Sequence, residues 1–467
     1  MTLRFDPALR GTPIFLAMLL FAWAVWLGSA TLAQRFPMPW QVRFAVLADA
    51  HLYAPALGQG TPAFHEHMAQ EVKMLDRSVQ LFTAFVDDLL ARRPAPDFVL
   101  MPGDLTNEGE RLSHELVIEL LARFRERGIA VYVIPGNHDI ANPEARGYAA
   151  TGPYTAEGID ALEFKRMYAD FGYARALSLD RHSLSYIAEP RPGLWLVAID
   201  SRRPSESGSK RSDAGGIRPD TLAWLSVQMQ RARAEGKLVL AMMHHGALEH
   251  FRGQGAHFPD LLIDDWKNVA RQLAEMGLRL VFTGHGHAHD ISREDWDDST
   301  SLVDVETSSL VTYPNAYRWA ELNLPDARLS LSPGGSLQRE AGRSAGFNAS
   351  SKLFSRTMQV RHVAAQLKQR TRLSADRQSR LAEAIADAIV ANAAGDEQPT
   401  LQAFREALSM LKRADPDERA VGALLAALWH DLPPADHTLE LNLRPPDAAN
   451  PGSWYSRFAG RQPRTGE

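Results

Sequence analysis

The sequence predicts an α/β fold: two β-sheets packed as a sandwich, flanked by helices and followed by a small C-terminal helical appendage. Three observations predict it. Short apolar runs alternate with amphipathic helical stretches, the pattern of parallel βαβ units covered on both faces. Each of the main runs stops at a polar block of Asp, His, Asn and Gly. Past Gly334 and Gly335 the composition shifts to Ala, Leu, Arg and Gln at helical spacing.

The elements follow in order. Arg4 and Arg10 precede an apolar run from Ile14 to Leu27, uncharged from Gly11 to Gln34, with small residues up to Ala33. A basic leader before such a run predicts a signal peptide or N-terminal membrane anchor over residues 1–40, since ~20 apolar residues span a bilayer. The protein is therefore expected to be exported, periplasmic or otherwise extracytoplasmic. Residues 43–48 form the first predicted strand, stopping at Asp49. Val72, Leu75, Val79, Phe82, Phe85, Val86 and Leu89 share one face of a helix predicted over 68–92. A second strand, 97–101, ends at Gly103 and Asp104. A helix over 113–127 stops at Gly128, and a third strand, 129–134, ends at Gly136, Asn137, His138 and Asp139.

The alternation resumes with a strand over 194–199, ending at Asp200, and a helix opened by Pro219. A strand over 238–243 ends at His244 and His245. A helix over 261–276 leads to a strand over 278–282, which ends at Gly284, His285, Gly286 and His287. Strands over 301–305, 319–324 and 328–332 read as antiparallel and complete a domain spanning 41–335. Leu381, Ile385 and Ile389, then Leu401, Phe404, Leu408 and Leu411, mark helices in an appendage over 345–430. Asp415, Pro416, Asp417 and Glu418 form a helix start with cap, proline and acidic first turn. Residues 433–467 read as a Pro-rich, partly ordered tail.

Composition bounds the chemistry. The 467 residues contain no cysteine, which excludes disulfides, thiolate metal sites, a cysteine nucleophile and a lipid-bearing cysteine. A net charge of −5 gives no global attraction for nucleic acid, and no nucleic-acid polymer is expected as a partner. The five polar blocks supply only oxygen and nitrogen donors, a set suited to two adjacent divalent or trivalent ions, Mn2+ or Fe by preference and Zn2+ as a further choice. In parallel sheets, ligands gather beyond the carboxyl ends of the strands, so blocks far apart in sequence can meet at one edge. His245 reads as a neighbour of that site, His289 and Asp290 as neighbours or surface residues, and His65 and His67 as loop or rim residues. Asp200 reads as a turn residue.

In these blocks, Asp49-x-His51, Gly103-Asp104, Gly136-Asn137-His138-Asp139, His244 and Gly284-His285-x-His287, the chain resembles the calcineurin-like metallophosphoesterase superfamily over about residues 43–312. Its nearest likeness is the cyclic-nucleotide phosphodiesterase-like branch, whose secreted bacterial members carry a C-terminal helical cap. The resemblance implies a four-layer α/β/β/α sandwich and a binuclear-metal phosphohydrolase. Attack by a metal-held hydroxide on a nucleotide-like or other small phosphodiester is the expected reaction. It implies Asp104 as the bridge, Asp49, His51 and His287 completing one metal, and Asn137, His244 and His285 completing the other. His138 is implied as general acid or positive clamp at the leaving group, with Asp139 orienting its ring. Purple acid phosphatases carry a Tyr ligand where this chain has Asn107, so that branch is excluded. Alternatives on the same site are an envelope phosphomonoesterase, a pyrophosphatase or a phospholipid-headgroup hydrolase. A silent membrane-tethered binding module would be expected to have lost ligands, and none is missing.

Overall fold

The computed structural model describes residues 40–203, 212–336, 346–395 and 397–444. The expected signal or anchor and the end of the tail lie outside the described residues. In chain order, the first half comprises β1 (Gln41–Val46), α1 (Pro62–Met68), α2 (Ser78–Ala91), β2 (Phe98–Pro102), α3 (Arg111–Glu126) and β3 (Ala130–Ile134). A hairpin of β4 (Arg146–Ala149) and β5 (Gly152–Thr155) and then α4 (Ala161–Met167) follow. Next come β6 (Ser178–Leu179), β7 (Tyr186–Arg191), β8 (Leu194–Ile199), α5 (Pro219–Ala234) and β9 (Leu238–Met243). The chain continues through α6 (Gln254–His257), α7 (Trp266–Glu275), β10 (Leu280–Thr283), β11 (Ile291–Asp295) and β12 (Ser301–Glu306). The chain ends with β13 (Ala316–Asn323), β14 (Arg328–Ser336), α8 (Phe347–Arg370), α9 (Ala375–Ala394), α10 (Leu401–Met410), α11 (Pro416–Leu428) and β15 (Leu439–Asn442).

The strands make two large sheets, ordered β15-β14-β13-β1-β2-β3 and β11-β12-β10-β9-β8-β7-β6. The two-residue period of a strand decides which layer each side chain joins. Leu194, Leu196 and Ala198 of β8 enter the core between the sheets. Trp195, Val197 and Ile199 of the same strand face α5 and α7, against Leu225, Met229, Val269 and Leu273. Both faces are buried, which is why these strands read as unbroken apolar runs. Phe44 of β1 stacks on Phe98 of β2 at 4.8 Å and meets Phe282 of β10 edge-on at 5.7 Å, joining the sheets. Helices α2 and α3 close the far side, where Phe85 meets Phe124 and Tyr317 at 6.2 and 5.1 Å. The layers are α/β/β/α, as expected.

Several expectations are corrected. The helix predicted from residue 68 begins at Ser78, because the Met74 amide is drawn to the Val311 carbonyl at 2.8 Å. The residues before it form α1, capped by Thr61, whose hydroxyl accepts from the Phe64 amide. His65 and His67 therefore lie on a helix, not in a loop. The helix predicted from 261 starts at Trp266, because Leu262 and Ile263 bridge to Gly246 and Gly215 and Asp265 turns left-handed at φ 49°. Strand β12 runs parallel to β10 and antiparallel only to β11, while the β13–β14 hairpin joins the other sheet. Part of the stretch read as tail forms β15, paired with β14.

The appendage helices bury their apolar faces largely against one another, around one buried residue of the main domain. Phe251, in the loop after β9, enters a core with Leu367, Leu381, Ile385, Met410 and Leu425. The His289 amide donates to Ala393 O, the Arg252 amide to His430 O, and Arg361 to Ala69 O, at 3.0, 3.2 and 3.2 Å. These contacts seat the helices on loops that follow β9 and β10 of the second sheet and on Ala69 after α1. Phe251→Ala should lower unfolding free energy by about 3–4 kcal/mol through the cavity it leaves. Urea titration should show an earlier transition; an unchanged midpoint would mean that Phe251 does not anchor the helices.

Candidate metal centre

All seven expected ligands end or follow strands on one edge. Asp49 and His51 follow β1, Asp104 follows β2, Asn137 follows β3, His244 follows β9, and His285 and His287 follow β10. Five of them are non-glycine residues with left-handed backbone: Asp49 (φ 51°), His51 (40°), Asp104 (49°), His285 (73°) and His287 (60°). Such conformations cost about 1–3 kcal/mol each and persist where the surroundings over-determine them. Their concentration on these residues marks a site built for convergence at the expense of stability.

The two glycines that come closest to candidate ligands are Gly136 and Gly284. A methyl on Gly136 would lie 2.1 Å from Asp104 Oδ1, and one on Gly284 2.3 Å from Asp49 Oδ2. Gly136→Ala should therefore displace Asp104, with an expected drop on the order of 10² in kcat/KM, the scale set by misplacing a catalytic group by ~1 Å. Wild-type turnover in that variant would show that the approach is not required.

Within the site, Asp104 Oδ2 lies 3.3 Å from His244 Nε2, 3.6 Å from His51 Nε2 and 3.7 Å from His138 Nε2. His51 Nε2 and His287 Nε2 approach to 3.0 Å, and Asp49 Oδ1 lies 3.5 Å from His287 Nε2. Asn137 Oδ1 is 2.9 Å from His244 Nε2, while its Nδ2 donates to Asp213 at 3.3 Å. His244 Nδ1 faces Pro102 O at 2.9 Å and His285 Nε2 faces Asp260 O at 3.1 Å. A carbonyl accepts only from a ring N–H, which leaves the other nitrogen of each ring facing inward. Burial would lower His244 but Asp104 pushes it up to about 9, so a cation there must displace its proton.

These donors fit a pair of cations. Asp49 Oδ1 is buried with no hydrogen-bond partner among the described residues, and Asp49 with His51 and His287 forms a cluster whose donor atoms lie within 4.8 Å of one another. Two imidazole nitrogens at 3.0 Å beside a lone carboxylate oxygen suit a shared cation better than a shared proton. Burial holds the His51 ring well below its ordinary value and brings His285 down to about 4, keeping both neutral as ligands must be. Burial would raise the Asp104 carboxyl, yet His244 and His138 hold it well below the usual carboxylate range.

Other residues fall less as expected. Asp139 was expected to orient the His138 ring. Instead its oxygens accept from the amides of Leu105, Thr106 and Gly136 at 3.1, 2.9 and 2.8 Å, bracing the loops that carry Asp104 and Asn137. The ring is met by Asn107 O at 2.6 Å and Glu108 Oε2 at 3.1 Å from Nδ1. His245 is fully buried, with Nδ1 on Ser201 Oγ at 2.9 Å, and joins His244 and His285 in a further donor cluster. His289 and Asp290 are buried, not surface residues. Asp200 holds a turn, accepting from Leu184 N and Arg202. Glu108, Asp213 and the buried Lys73, whose charge acts on both His51 and His138, had no assigned role in the sequence reading. Only Glu108 had a local signal, its place in the stretch after Asp104.

Nitrogen and carboxylate donors gathered at the strand ends of a two-sheet α/β sandwich define a candidate metal centre, and the family match makes its class that of the metal-dependent phosphoester hydrolases. The calcineurin-like phosphoesterase profile matches residues 42–289, and the chain belongs to that family. It is 23% identical over 252 residues to a probable glycerophosphodiester phosphodiesterase from Arcobacter nitrofigilis, covering 52% of this chain and 77% of that one. It is 24% identical over 253 residues to sphingomyelin phosphodiesterase 2 of Caenorhabditis elegans, covering 52% of this chain and only 38% of that longer protein. Among solved structures, a dimetal phosphatase from Danio rerio aligns with 16% identity and a TM-score of 0.44, over 62% of this chain and 95% of that one.

Proposed function

We propose that the chain is a binuclear-metal phosphodiesterase acting on a small phosphodiester of the glycerophosphodiester type. The observation that carries the reading is the placement of Asp104 Oδ2 between the His51 and His244 nitrogens, with the remaining donors on either side. Asp104 would bridge the two ions, Asp49, His51 and His287 would complete one, and Asn137, His244 and His285 the other. Bound there, two such ions supply Lewis-acid polarisation of the phosphoryl oxygens and a water made nucleophilic at neutral pH. Mn2+ or Fe suits the mixed nitrogen and carboxylate set, with Zn2+ admissible.

The chain's own residues do the rest. His138, held through Nδ1 by Asn107 O and Glu108, presents Nε2 toward Asp104 and protonates or clamps the leaving oxygen. Beside Asn107 and Glu108 opens a cavity of about 670 Å³ lined also by Tyr53, His67, Arg146 and Tyr148. That volume accommodates a small alcohol or headgroup. The sphingomyelin phosphodiesterase relative favours a second reading, a phospholipid headgroup as substrate. Residues 1–40 act as export signal or anchor in this proposal, placing the site outside the cytoplasm. Among the described residues no helix is long and apolar enough to cross a membrane.

A substrate panel with added Mn2+ tests the proposal. Glycerophosphodiesters and bis-p-nitrophenyl phosphate should be cleaved with kcat/KM at least ~10-fold above p-nitrophenyl phosphate, a difference of about 1.4 kcal/mol in transition-state binding. Preference for the monoester would refute the diester reading. Preference for sphingomyelin over glycerophosphodiesters would select the headgroup alternative.

A further inference from the structure

A second group of carboxylates lies apart from the proposed catalytic ligands, where the segment after α11 returns across the second sheet. Asp290, between β10 and β11, has donor atoms within 4.8 Å of those of Asp431 and Asp436. Asp290 is fully buried and Asp436 is 4% exposed, while Asp431 reaches solvent. One oxygen of Asp290 accepts from His250 Nδ1 at 2.8 Å. The other, Oδ2, is buried with no hydrogen-bond partner among the described residues. One oxygen of Asp436 accepts from the Ile291 amide at 3.1 Å.

Two cations adjoin these oxygens. Burial would lower His250, but Asp290 and Asp304 hold it well above the ordinary imidazole value, and it bonds one oxygen of Asp290. The second bonds none of them. Arg318, itself fully buried, spends its donors on the backbone carbonyls of Asp290, Glu306 and Asp436, at 2.9, 2.6 and 2.7 Å. The surplus of negative charge shows in the carboxyls themselves. Burial, then the charge of Asp290, pushes Asp436 up to about 8 and Glu397 up to about 9. A buried carboxylate oxygen without a partner is costly, because nothing replaces the water it gave up on folding.

We propose that Asp290, Asp431 and Asp436 form a structural site for a hard divalent cation, Ca2+ by preference. Oxygens held at about 2.3–2.6 Å around one Ca2+ lie at most about 5 Å apart, the spacing found here. The donors are oxygens only, which separates this site from the nitrogen-rich catalytic edge and its preference for Mn, Fe or Zn. The cation would pin the returning C-terminal segment to the loop that follows His285 and His287. Two backbone contacts already follow that seam: Arg293 N to Pro433 O at 3.2 Å, and the Phe251–Asp431 bridge.

Titration of the full chain, loaded with its transition metals, with CaCl2 by calorimetry tests this. One Ca2+ should bind per chain without displacing transition metal, as read by elemental analysis. At about 100-fold excess over Kd, the Tm should rise on the order of 3–8 °C. Asp436→Asn and Asp431→Asn should each weaken binding at least ~10-fold by removing one of three charged donors, and the double variant should abolish the Tm response. Should Asp436→Asn fail to fold, Asp431→Asn, at an exposed position, carries the test alone. No saturable Ca2+ uptake, as expected if these carboxyls merely share protons or a buried water, overturns the proposal. Uptake undiminished in the folded variants overturns it equally.

Discussion

Replacing Asp104 with Ala should abolish turnover, with kcat/KM falling on the order of 10⁴ or more, because the loss of several kcal/mol of charge stabilisation acts on both ions at once. No other candidate carboxylate ligand has an oxygen within 4 Å of three separate imidazole nitrogens, those of His51, His138 and His244. Its second oxygen accepts from the His138 amide at 3.0 Å, so truncation also strands a half-buried backbone donor. Without that anion, His51 and His244 would face each other across a void with only Asp49 to offset bound charge. Elemental analysis should find the metal content reduced by at least one ion per chain. Asp49→Ala, by comparison, removes a donor from the His51 and His287 side alone and should cost less. Near-wild-type activity in Asp104→Ala would show that the bridge is misplaced. Full metal content with lost activity would make Asp104 a reacting group, not a ligand.

The candidate site was legible from sequence because each ligand ends an apolar run. The same two-residue period that buries Leu194 and Trp195 on opposite faces of β8 makes such runs visible, and parallel pairing then brings their ends to one edge. What could not be read depends on contacts distant in sequence. The start of α2 is set by Val311 holding Met74, and the start of α7 by bridges from Leu262 and Ile263 to Gly246 and Gly215. Both overrule a helical apolar spacing that is locally continuous. The parallel pairing of β12 with β10 has no sequence signal, because a fully buried strand looks alike in either direction. The left-handed backbone at His51, His285 and His287 was also invisible, since His carries no such preference in its side chain. Asp139 looked like a ring-orienting partner from adjacency alone. In the fold its carboxylate is taken by three amides, and Glu108, thirty residues earlier, meets the imidazole instead.

Substituting His138 should separate chemistry from metal binding. His138 has one ring nitrogen committed to Asn107 O and Glu108, and the other 3.7 Å from Asp104 Oδ2. Its Nε2 lies close enough to His51 and Asp104 to be grouped with them as a donor, but the family resemblance places it at the leaving group, not among the ligands. His138 is instead set to hold a proton or a positive charge, since burial would lower its pKa but Asp104 and Glu108 raise it above the ordinary imidazole value. His138→Gln should therefore retain both metals and lose about 10²–10⁴ in kcat on a glycerophosphodiester, the range for a general acid. The loss should shrink on bis-p-nitrophenyl phosphate, whose leaving oxygen needs little protonation. Glu108→Gln should reproduce a smaller part of the same pattern, because it withdraws the carboxylate that stabilises the charged ring. An equal loss on both substrates would reduce His138 to a clamp on the phosphoryl group. Loss of metal together with activity would make it a ligand, and the leaving group would then need another proton donor.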